Sequence, residues 1–318
     1  MSAPDSERDG VRLTHLDDEL FEGATVTKRQ LIDYLETVQG LMLPGLVHRP
    51  LSVIRIRPGQ PAFMQKNLPK YAPDWIETST YWVEASKREV TYPVANDWRT
   101  LLWFANQRAV EYHVTLFTLD GEHRPRSLVL DLDPPEGAGF AAVVATAHLV
   151  HRALADAGLT GAVKTSGAKG VHVFVPLAAD TTTEEAAAAT RALAARSERL
   201  DPTIATTAFV KEAREGKVFV DSTRAGGATV VATYSPRVRP GLPVSFPIDW
   251  ADLDQITPAD FTVSTVPALL GDHTSWSDRM PEPQTLPAEL VTEGRGIPIA
   301  RVQAMHEGKR RAARQRKS

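Results

Sequence analysis

Two aspartates, Asp131 and Asp133, end an apolar segment with the sequence SLVLDLD, which two prolines follow. A run of aliphatic residues that stops at prolines predicts a buried strand. Because strand side chains alternate between faces, the two carboxylates share one face, about 7 Å apart at a rise of about 3.3 Å per residue. That spacing suits two divalent ions about 4 Å apart. The pattern alone fits a solvated strand end equally well, and glycosyltransferases and phosphatases of the haloacid dehalogenase type also carry it.

A second segment, TSGAKGVHVFVP, combines a polar turn with an apolar strand. Gly167 and Gly170 permit backbone conformations that bring amide N–H groups close to an anion. Ser166 adds a hydroxyl, Lys169 a positive charge and His172 an imidazole. These groups together predict a cradle for a triphosphate.

A third acid, Asp221, ends another apolar strand with the sequence KVFVDS. Three carboxylates at strand ends can neutralise most of the charge of two Mg²⁺ or Mn²⁺ ions, and these cations prefer oxygen ligands. Asp131, Asp133 and Asp221 are therefore predicted to be catalytic residues that hold a two-metal site of Mn²⁺ or Mg²⁺.

The elements that must position these groups are strands alternating with helices. Capping residues predict helix starts at Thr27, Asp97 and Thr182, and Gly40 is predicted to end the first of these helices. A further amphipathic helix is predicted from about residue 138 to 157. Helices placed between strands indicate crossover connections that pack on a sheet.

The composition is that of a soluble globular chain of 318 residues, of which 42% are hydrophobic and 24% are charged. The absence of cysteine excludes disulfides and thiolate-bound metal centres. No apolar run reaches the roughly 18 residues of a membrane span, and the N-terminus does not resemble an export signal. We therefore predict a cytoplasmic protein without membrane contact. Its net charge of −3 requires that any DNA-binding residues be gathered on one face.

Basic and apolar residues interleave between positions 51 and 70. Charge combined with exposed apolar surface is typical of sites for single-stranded or recessed nucleic-acid ends. The alternative is an ordinary half-buried strand and loop. The residues predicted to bind DNA in this stretch are Arg55, Arg57, Phe63, Met64 and Lys66.

The three motifs DLD, SGAKGVH and FVD resemble those of the archaeo-eukaryotic primase superfamily of primase-polymerases. The likeness is greatest to the polymerase domain of bacterial DNA ligase D and its stand-alone actinobacterial relatives. Further similar blocks occur in the same order: FMQKN, APDWI, LWFAN, EYH and YSPRVRPG. The resemblance runs from about residue 13 to 276. It implies an α+β fold of mixed sheets flanked by helices, with a catalytic core of RRM-like type.

The resemblance also divides the chain and adds site residues. It implies a flexible N-terminal segment at 1–12, a catalytic domain at 13–280 and a C-terminal extension with a basic tail at 281–318. Relatives carry two adjacent aromatic residues that stack on template DNA beside a 5′-phosphate, whereas Met64 is the second residue here, which predicts altered recognition of the downstream end. Asn106, His113 and Arg237 are expected near the incoming nucleotide, and Lys28 and Arg239 near DNA phosphates.

The function implied is a template-directed, metal-dependent nucleotidyltransferase that fills short gaps or DNA ends and prefers ribonucleotides. The expected partners are gapped or end DNA with a 5′-phosphate, NTP or dNTP, and a DNA ligase or a Ku-type end-binding protein. The chain is expected to be a monomer associated with the nucleoid. The alternatives are a metal-dependent phosphohydrolase, against which Pro135 counts, and a non-catalytic module that binds DNA ends. End joining and excision repair both remain open.

Overall fold

A computed structural model of the chain describes residues 6–83, 88–119, 123–226, 228–271 and 275–299. Strands and helices mix along the sequence, which confirms the predicted α+β class. The strands are β1 (Ser6–Arg8), β2 (Val11–Leu13), β3 (Leu51–Arg55), β4 (Phe63–Gln65), β5 (Thr78–Val83), β6 (Arg88–Pro93), β7 (Ala109–Thr115), β8 (Ser127–Asp133), β9 (Ala162–Thr165), β10 (Val171–Pro176), β11 (Ala205–Thr206), β12 (Val218–Asp221), β13 (Thr229–Val231) and β14 (Pro247–Ile248). The helices are α1 (Lys28–Met42), α2 (Trp98–Asn106), α3 (Phe140–Asp156), α4 (Thr183–Leu200), α5 (Val266–Leu269), α6 (Trp276–Arg279) and α7 (Ala288–Gly296).

The larger sheet has the strand order β11-β12-β8-β10-β9-β14, with β8 antiparallel to both of its neighbours. The two faces of this sheet pack against different parts of the protein. The leucines at 128, 130 and 132 are fully buried in the main core, to which helices α3 and α4 contribute. Val129 emerges on the opposite face and packs with Leu116 and Val230, which belong to or adjoin the second sheet. The face that carries Asp131 is therefore turned towards the second sheet.

That second sheet has the order β13-β7-β3-β4. Every residue of β7 is buried, including the polar residues Glu111 and His113. His113 lies opposite Ser52 of β3 and Val231 of β13. Buried polar groups in a central strand need partners within the protein. Glu111 and His113 have these partners in the space between the two sheets.

The predicted helix starts are confirmed, but one predicted end is wrong. Thr27 and Thr182 form capping boxes with Gln30 and Glu185, and Asp97 caps α2 through the N–H of Thr100. Helix α1, however, continues through Gly40 to Met42. A glycine inside a helix costs about 1 kcal/mol relative to alanine, and Met42 is buried in the core beyond it.

Two segments near the limits of the described residues, 6–13 and 288–296, form elements that the sequence did not predict. Residues from 6 to 13 form the β1–β2 hairpin, and Arg8 pairs with Asp33 and Glu36 of α1. Residues 6 to 12, which the sequence assigned to a flexible segment at 1–12, thus have regular structure. Helix α7 packs on α4, where a Cβ on Gly294 would lie 1.8 Å from Ala188 O. The basic tail at 308–318 lies outside the described residues.

No helix in the described part of the chain is long and apolar enough to cross a membrane.

Candidate active site between the two sheets

The centre of the site is a row of three residues on neighbouring strands. Asp131 of β8 lies directly opposite Asp221 of β12 on one side and His172 of β10 on the other. His172 Nε2 is 3.3 Å from Asp131 Oδ1. All three side chains are largely buried, at 16%, 10% and 5% exposure. The structure thus brings together two predicted catalytic carboxylates and the predicted histidine.

Asp133 lies one step further along β8, at the outer end of the same face. Its side chain is 55% exposed, and Oδ2 is 3.1 Å from Arg214 Nη1. The Arg214 guanidinium also lies 3.9 Å from the ring centre of Phe219, the residue opposite Asp133. The third predicted carboxylate therefore lies at the solvent edge of the row.

Arg224, which the sequence did not single out, bridges the two buried carboxylates. Its Nη2 is 2.7 Å from Asp131 Oδ2 and its Nε is 3.3 Å from Asp221 Oδ2. Burial would raise the pKa of Asp131, but His172 and the positive charge of Arg224 outweigh that effect and lower it well below its usual value. Asp131 is therefore an anion at neutral pH.

The chemistry of this donor set fits Mg²⁺ or Mn²⁺, because carboxylate oxygens are the ligands that these cations prefer. Two guanidinium groups already contact the three acids: Arg224 contacts Asp131 and Asp221, and Arg214 contacts Asp133. Their two positive charges leave one negative charge of the row uncompensated. In the described residues, however, no group of three or more His, Cys, Asp or Glu side chains is arranged to hold a metal ion. Metal binding at Asp131, Asp133 and Asp221 would require their arginine partners to move.

Lys164 is a second residue of the site that the sequence does not single out. It is fully buried in β9, and Nζ lies 3.1 Å from His172 Nδ1, 3.1 Å from Val231 O and 2.5 Å from Ser245 Oγ. Burial, assisted by the positive charge of Arg237, lowers the pKa of Lys164 well below its usual value. Burial and then Lys164 lower the pKa of His172 to about 4, so its ring is neutral at pH 7. The sign of this role in the sequence was a charged residue within a short strand that is otherwise uncharged.

The glycine turn between β9 and β10, predicted to cradle a triphosphate, packs closely against its surroundings. Ser166 Oγ accepts hydrogen bonds from Ala168 N and Gly170 N, both at 3.2 Å. Gly167 has a φ of 68°, and a Cβ there would lie 2.7 Å from Ser245 N. A Cβ on Gly170 would lie 1.9 Å from Leu132 O, so this glycine is needed for close approach to β8. Lys169 is exposed at the tip of the turn.

Arg237, in the segment that follows β13, reaches this turn. Its Nη1 donates to Ser166 O at 2.7 Å and its Nε donates to Glu111 Oε2 at 2.9 Å. The same carboxylate oxygen lies 2.9 Å from His113 Nε2. Burial would raise the pKa of Glu111, but His113 and Arg237 outweigh it and lower the pKa. The predicted nucleotide-binding residues His113 and Arg237 are thus joined by a carboxylate that the sequence analysis did not assign to the site.

Arg239, the neighbouring basic residue predicted to bind DNA, is exposed.

Two residues that were predicted to contact nucleotide or DNA, Asn106 and Lys28, contact the protein backbone in the structure. The side-chain amide of Asn106 donates to Arg12 O and accepts from Thr14 N. Lys28 is 2% exposed and donates to Thr14 O at 2.5 Å. Both side chains satisfy backbone groups around the end of β2. The predicted contacts of Asn106 with the nucleotide and of Lys28 with DNA phosphate do not agree with these positions.

Arg55, in the basic stretch predicted to bind DNA, is also buried. It is 6% exposed and donates to Gln107 O, Gln107 Oε1, Gln65 Oε1 and Tyr71 OH at 2.7 to 3.1 Å. Its guanidinium is used to hold β3, β4 and the residue after α2 together. A DNA contact of Arg55 is therefore not supported.

The rest of the stretch remains open to a ligand along the edge strand β4. Arg57 is exposed and lies 4.7 Å from the ring centre of Phe63, which is half-buried. Met64 is 45% exposed, and Tyr71, whose hydroxyl accepts from Arg55 Nη1, is 61% exposed. We call these side chains the β4 edge strip, which consists of Arg57, Phe63, Met64, Lys66 and Tyr71.

Comparison with known proteins identifies relatives of the chain. The family described as "LigD, primase-polymerase domain" matches residues 27–276. The multifunctional non-homologous end joining DNA repair protein LigD of Mycobacterium tuberculosis is 36% identical over 255 residues, which are 77% of this chain and 33% of that protein. The bifunctional non-homologous end joining protein LigD of Bacillus subtilis is 34% identical over 261 residues, covering 80% of this chain and 42% of that protein.

The chain therefore spans about a third to two fifths of the length of these two relatives. A solved structure titled as the polymerase domain from Mycobacterium tuberculosis ligase D in complex with DNA is similar as well. It has a TM-score of 0.77 and 34% sequence identity, and the match covers 85% of this chain and 97% of that one.

Proposed function

The chain belongs to the LigD primase-polymerase family, and we propose that it is a template-directed nucleotidyltransferase that extends DNA 3′ ends at short gaps or breaks. The observation that carries the proposal is the row of Asp131, Asp221 and His172 facing a compact glycine turn. An acidic row beside an anion cradle is the arrangement that nucleotide addition requires, since the acids bind cations and the cradle binds the triphosphate.

The chain's own residues would divide the work between binding and orientation. Lys169 binds the triphosphate at the tip of the turn, with His172 and Arg237 beside it. Glu111 holds Arg237 and His113 in place before the nucleotide arrives, which reduces the entropy lost on binding. Mg²⁺ or Mn²⁺ held by Asp131, Asp133 and Asp221 would, when bound, make the primer 3′-OH a better nucleophile and neutralise charge on the departing pyrophosphate.

DNA would lie across the β4 edge strip. Phe63 offers a half-exposed ring for a template base, and Arg57 and Lys66 supply positive charge on the same edge. Aromatic stacking and charge together are the usual means of holding single-stranded ends. The similar structure is titled as a complex with DNA, which supports DNA binding by this fold. Because Lys28 and Arg55 are buried, the contact with a 5′-phosphate falls to Arg57 and Lys66.

Several finer properties follow from family membership alone and are part of the proposal. They are a preference for ribonucleotides, the use of manganese, and cooperation with a DNA ligase or a Ku-type protein in the cytoplasm. The names of the relatives favour end joining over excision repair as the pathway.

The phosphohydrolase alternative would need an aspartate free to attack phosphorus. Asp131 is instead paired with the buried His172 of the neighbouring strand. The direct test is primer extension on gapped DNA with NTP or dNTP. Incorporation of the templated base supports the proposal, and phosphate release without extension would support the hydrolase.

A further inference from the structure

Arg224 lies where a cation is needed, between two buried acids. It follows Asp221, the last residue of β12, by three positions and opens the short turn Arg224–Gly226. One guanidinium spans Asp131 and Asp221, which are opposite each other in adjacent strands. Without a cation, two ionised carboxylates at such positions repel each other.

We propose that Arg224 is a built-in competitor for the divalent metal, which occupies the space between Asp131 and Asp221 until a metal ion displaces it. The inference rests on the proposed function, because it assumes that these aspartates bind metal. It goes further in assigning Arg224 a role that opposes metal binding in the chain without nucleotide.

The contacts of Arg224 indicate that it can leave. Its Nε is buried and makes no hydrogen bond, although Asp221 Oδ2 is 3.3 Å away. A buried donor without a partner is unfavourable, so the guanidinium is incompletely satisfied in this position. The side chain is also 34% exposed, so it borders solvent.

Arg214, the partner of Asp133, provides a contrast. It donates to Ala208 O and Phe209 O at 3.2 and 3.4 Å, and it lies against the ring of Phe219. These contacts do not depend on Asp133. Among the described residues, the hydrogen bonds and ion pairs of Arg224 are made with Asp131 and Asp221. Arg224 is thus held by the same two side chains for which a metal would compete.

The direction of the expected effect separates this role from a structural one. If Arg224 competes with metal, Arg224→Gln removes the competitor and tightens metal binding. If Arg224 only maintains the positions of the aspartates, the same change loosens the row and weakens metal binding. We expect about tenfold tighter binding, a modest value for displacing one cation from a partly exposed pair of acids.

The experiment is a titration of the full chain with Mn²⁺, with free Mn²⁺ measured by electron paramagnetic resonance and without DNA or nucleotide. Wild type, Arg224→Gln and the control Arg152→Gln are compared. Arg152 is an exposed arginine of α3, whose Nε lies 3.9 Å from Asp156 Oδ2. We expect the Kd of Arg224→Gln to fall about tenfold and that of Arg152→Gln to equal wild type.

Thermal unfolding supplies a second readout. In EDTA, Arg224→Gln should unfold at a lower temperature than wild type, because the two acids have lost their cation, and Mn²⁺ should raise its Tm by more than it raises that of wild type. If Arg224→Gln does not fold in EDTA, Arg224→Lys is titrated instead. A lysine keeps the charge but cannot span both acids, so its Kd should also lie below that of wild type.

A Kd for the variant equal to or above that of wild type would overturn the inference. So would the absence of any Mn²⁺ binding. Primer extension by the wild type, measured separately, reports on the proposed function. Templated extension together with an unchanged Kd would overturn the role of Arg224 alone, whereas failure of extension with every divalent metal would overturn the proposed function.

Discussion

Glu111 Oε2 accepts a hydrogen bond from Arg237 Nε at 2.9 Å, and this contact joins the central strand of one sheet to the segment that faces the glycine turn of the other. Glu111 Oε1 also accepts from Val238 N at 2.9 Å, so both carboxylate oxygens are used. Arg237 in turn donates to Ser166 O. The carboxylate therefore holds the guanidinium beside the turn before any ligand is present.

The first prediction tests this positioning. Glu111→Gln keeps the size of the side chain but removes its charge, and a hydrogen bond to a charged group contributes about 1.5–3 kcal/mol. We expect KM for the nucleotide to rise about tenfold or more, with a smaller change in kcat. Steady-state kinetics on gapped DNA measure both, and Glu282→Gln, an exposed acid, is the matched control. An unchanged KM would contradict the role of Glu111.

The second prediction concerns pH. The folded-state pKa of Glu111 is lowered, so its ionised form contributes stability above the unfolded-state pKa of about 4.3. That stability is lost as the pH falls below this value and through the lower folded-state pKa. The free energy of unfolding should therefore fall more steeply for wild type than for Glu111→Gln below about pH 4.3. Denaturant unfolding at several pH values measures it, and parallel curves would refute the prediction.

The third prediction concerns the sugar. The ribonucleotide should be incorporated more efficiently than the deoxynucleotide opposite the same template base. A site that hydrogen-bonds the 2′-OH leaves a polar group unpaired when a deoxynucleotide binds. Side-by-side values of kcat/KM on one gapped substrate decide the matter. A higher value for dNTP would count against the family's preference applying here.

The fourth prediction concerns the β4 edge strip. Stacking of a base on an aromatic ring contributes about 1–3 kcal/mol, so Phe63→Ala should weaken binding of gapped DNA roughly tenfold. Met64→Phe should strengthen binding, because it adds a ring at an exposed position. Removing the 5′-phosphate should cost affinity at low salt and less at high salt.

The control for the strip is Leu269→Ala, which removes an apolar side chain of α5 that is 48% exposed. Fluorescence anisotropy with gapped DNA, with and without the phosphate and at two salt concentrations, gives the affinities. Equal affinities for wild type, Phe63→Ala and Met64→Phe would show that the strip does not contact DNA.

Strand alternation allowed the sequence to predict that Asp131 and Asp133 share one face of a strand. The glycines at 167 and 170 predicted the turn, and His172 was expected beside it. The sequence could not predict that Asp131 lies between Asp221 and His172, since β8 pairs with strands that are distant in sequence. Glu111, Lys164 and Arg224 were missed for the same reason, because their roles depend on partners across strands and turns.

The differences between the expected and observed surroundings of Lys28, Arg55 and Asn106 have a common physical cause. Lys28 and Arg55 were expected to be exposed because charged side chains usually are. Each is instead buried with acceptors supplied by backbone or side-chain groups, namely Thr14 O for Lys28 and Gln107 O with three side-chain oxygens for Arg55. Asn106 likewise satisfies the backbone around β2. Such acceptors come from distant segments, so local sequence does not reveal them.

The central claim is tested most directly by primer extension with wild type and the double variant Asp131→Ala/Asp133→Ala on the same gapped DNA. Wild type should add the templated nucleotide in the presence of Mn²⁺ or Mg²⁺. The variant should add none, while it binds the gapped DNA nearly as well as wild type, because the acids repel DNA rather than hold it. Extension by the double variant within tenfold of wild type would contradict the assignment of this row as the active site.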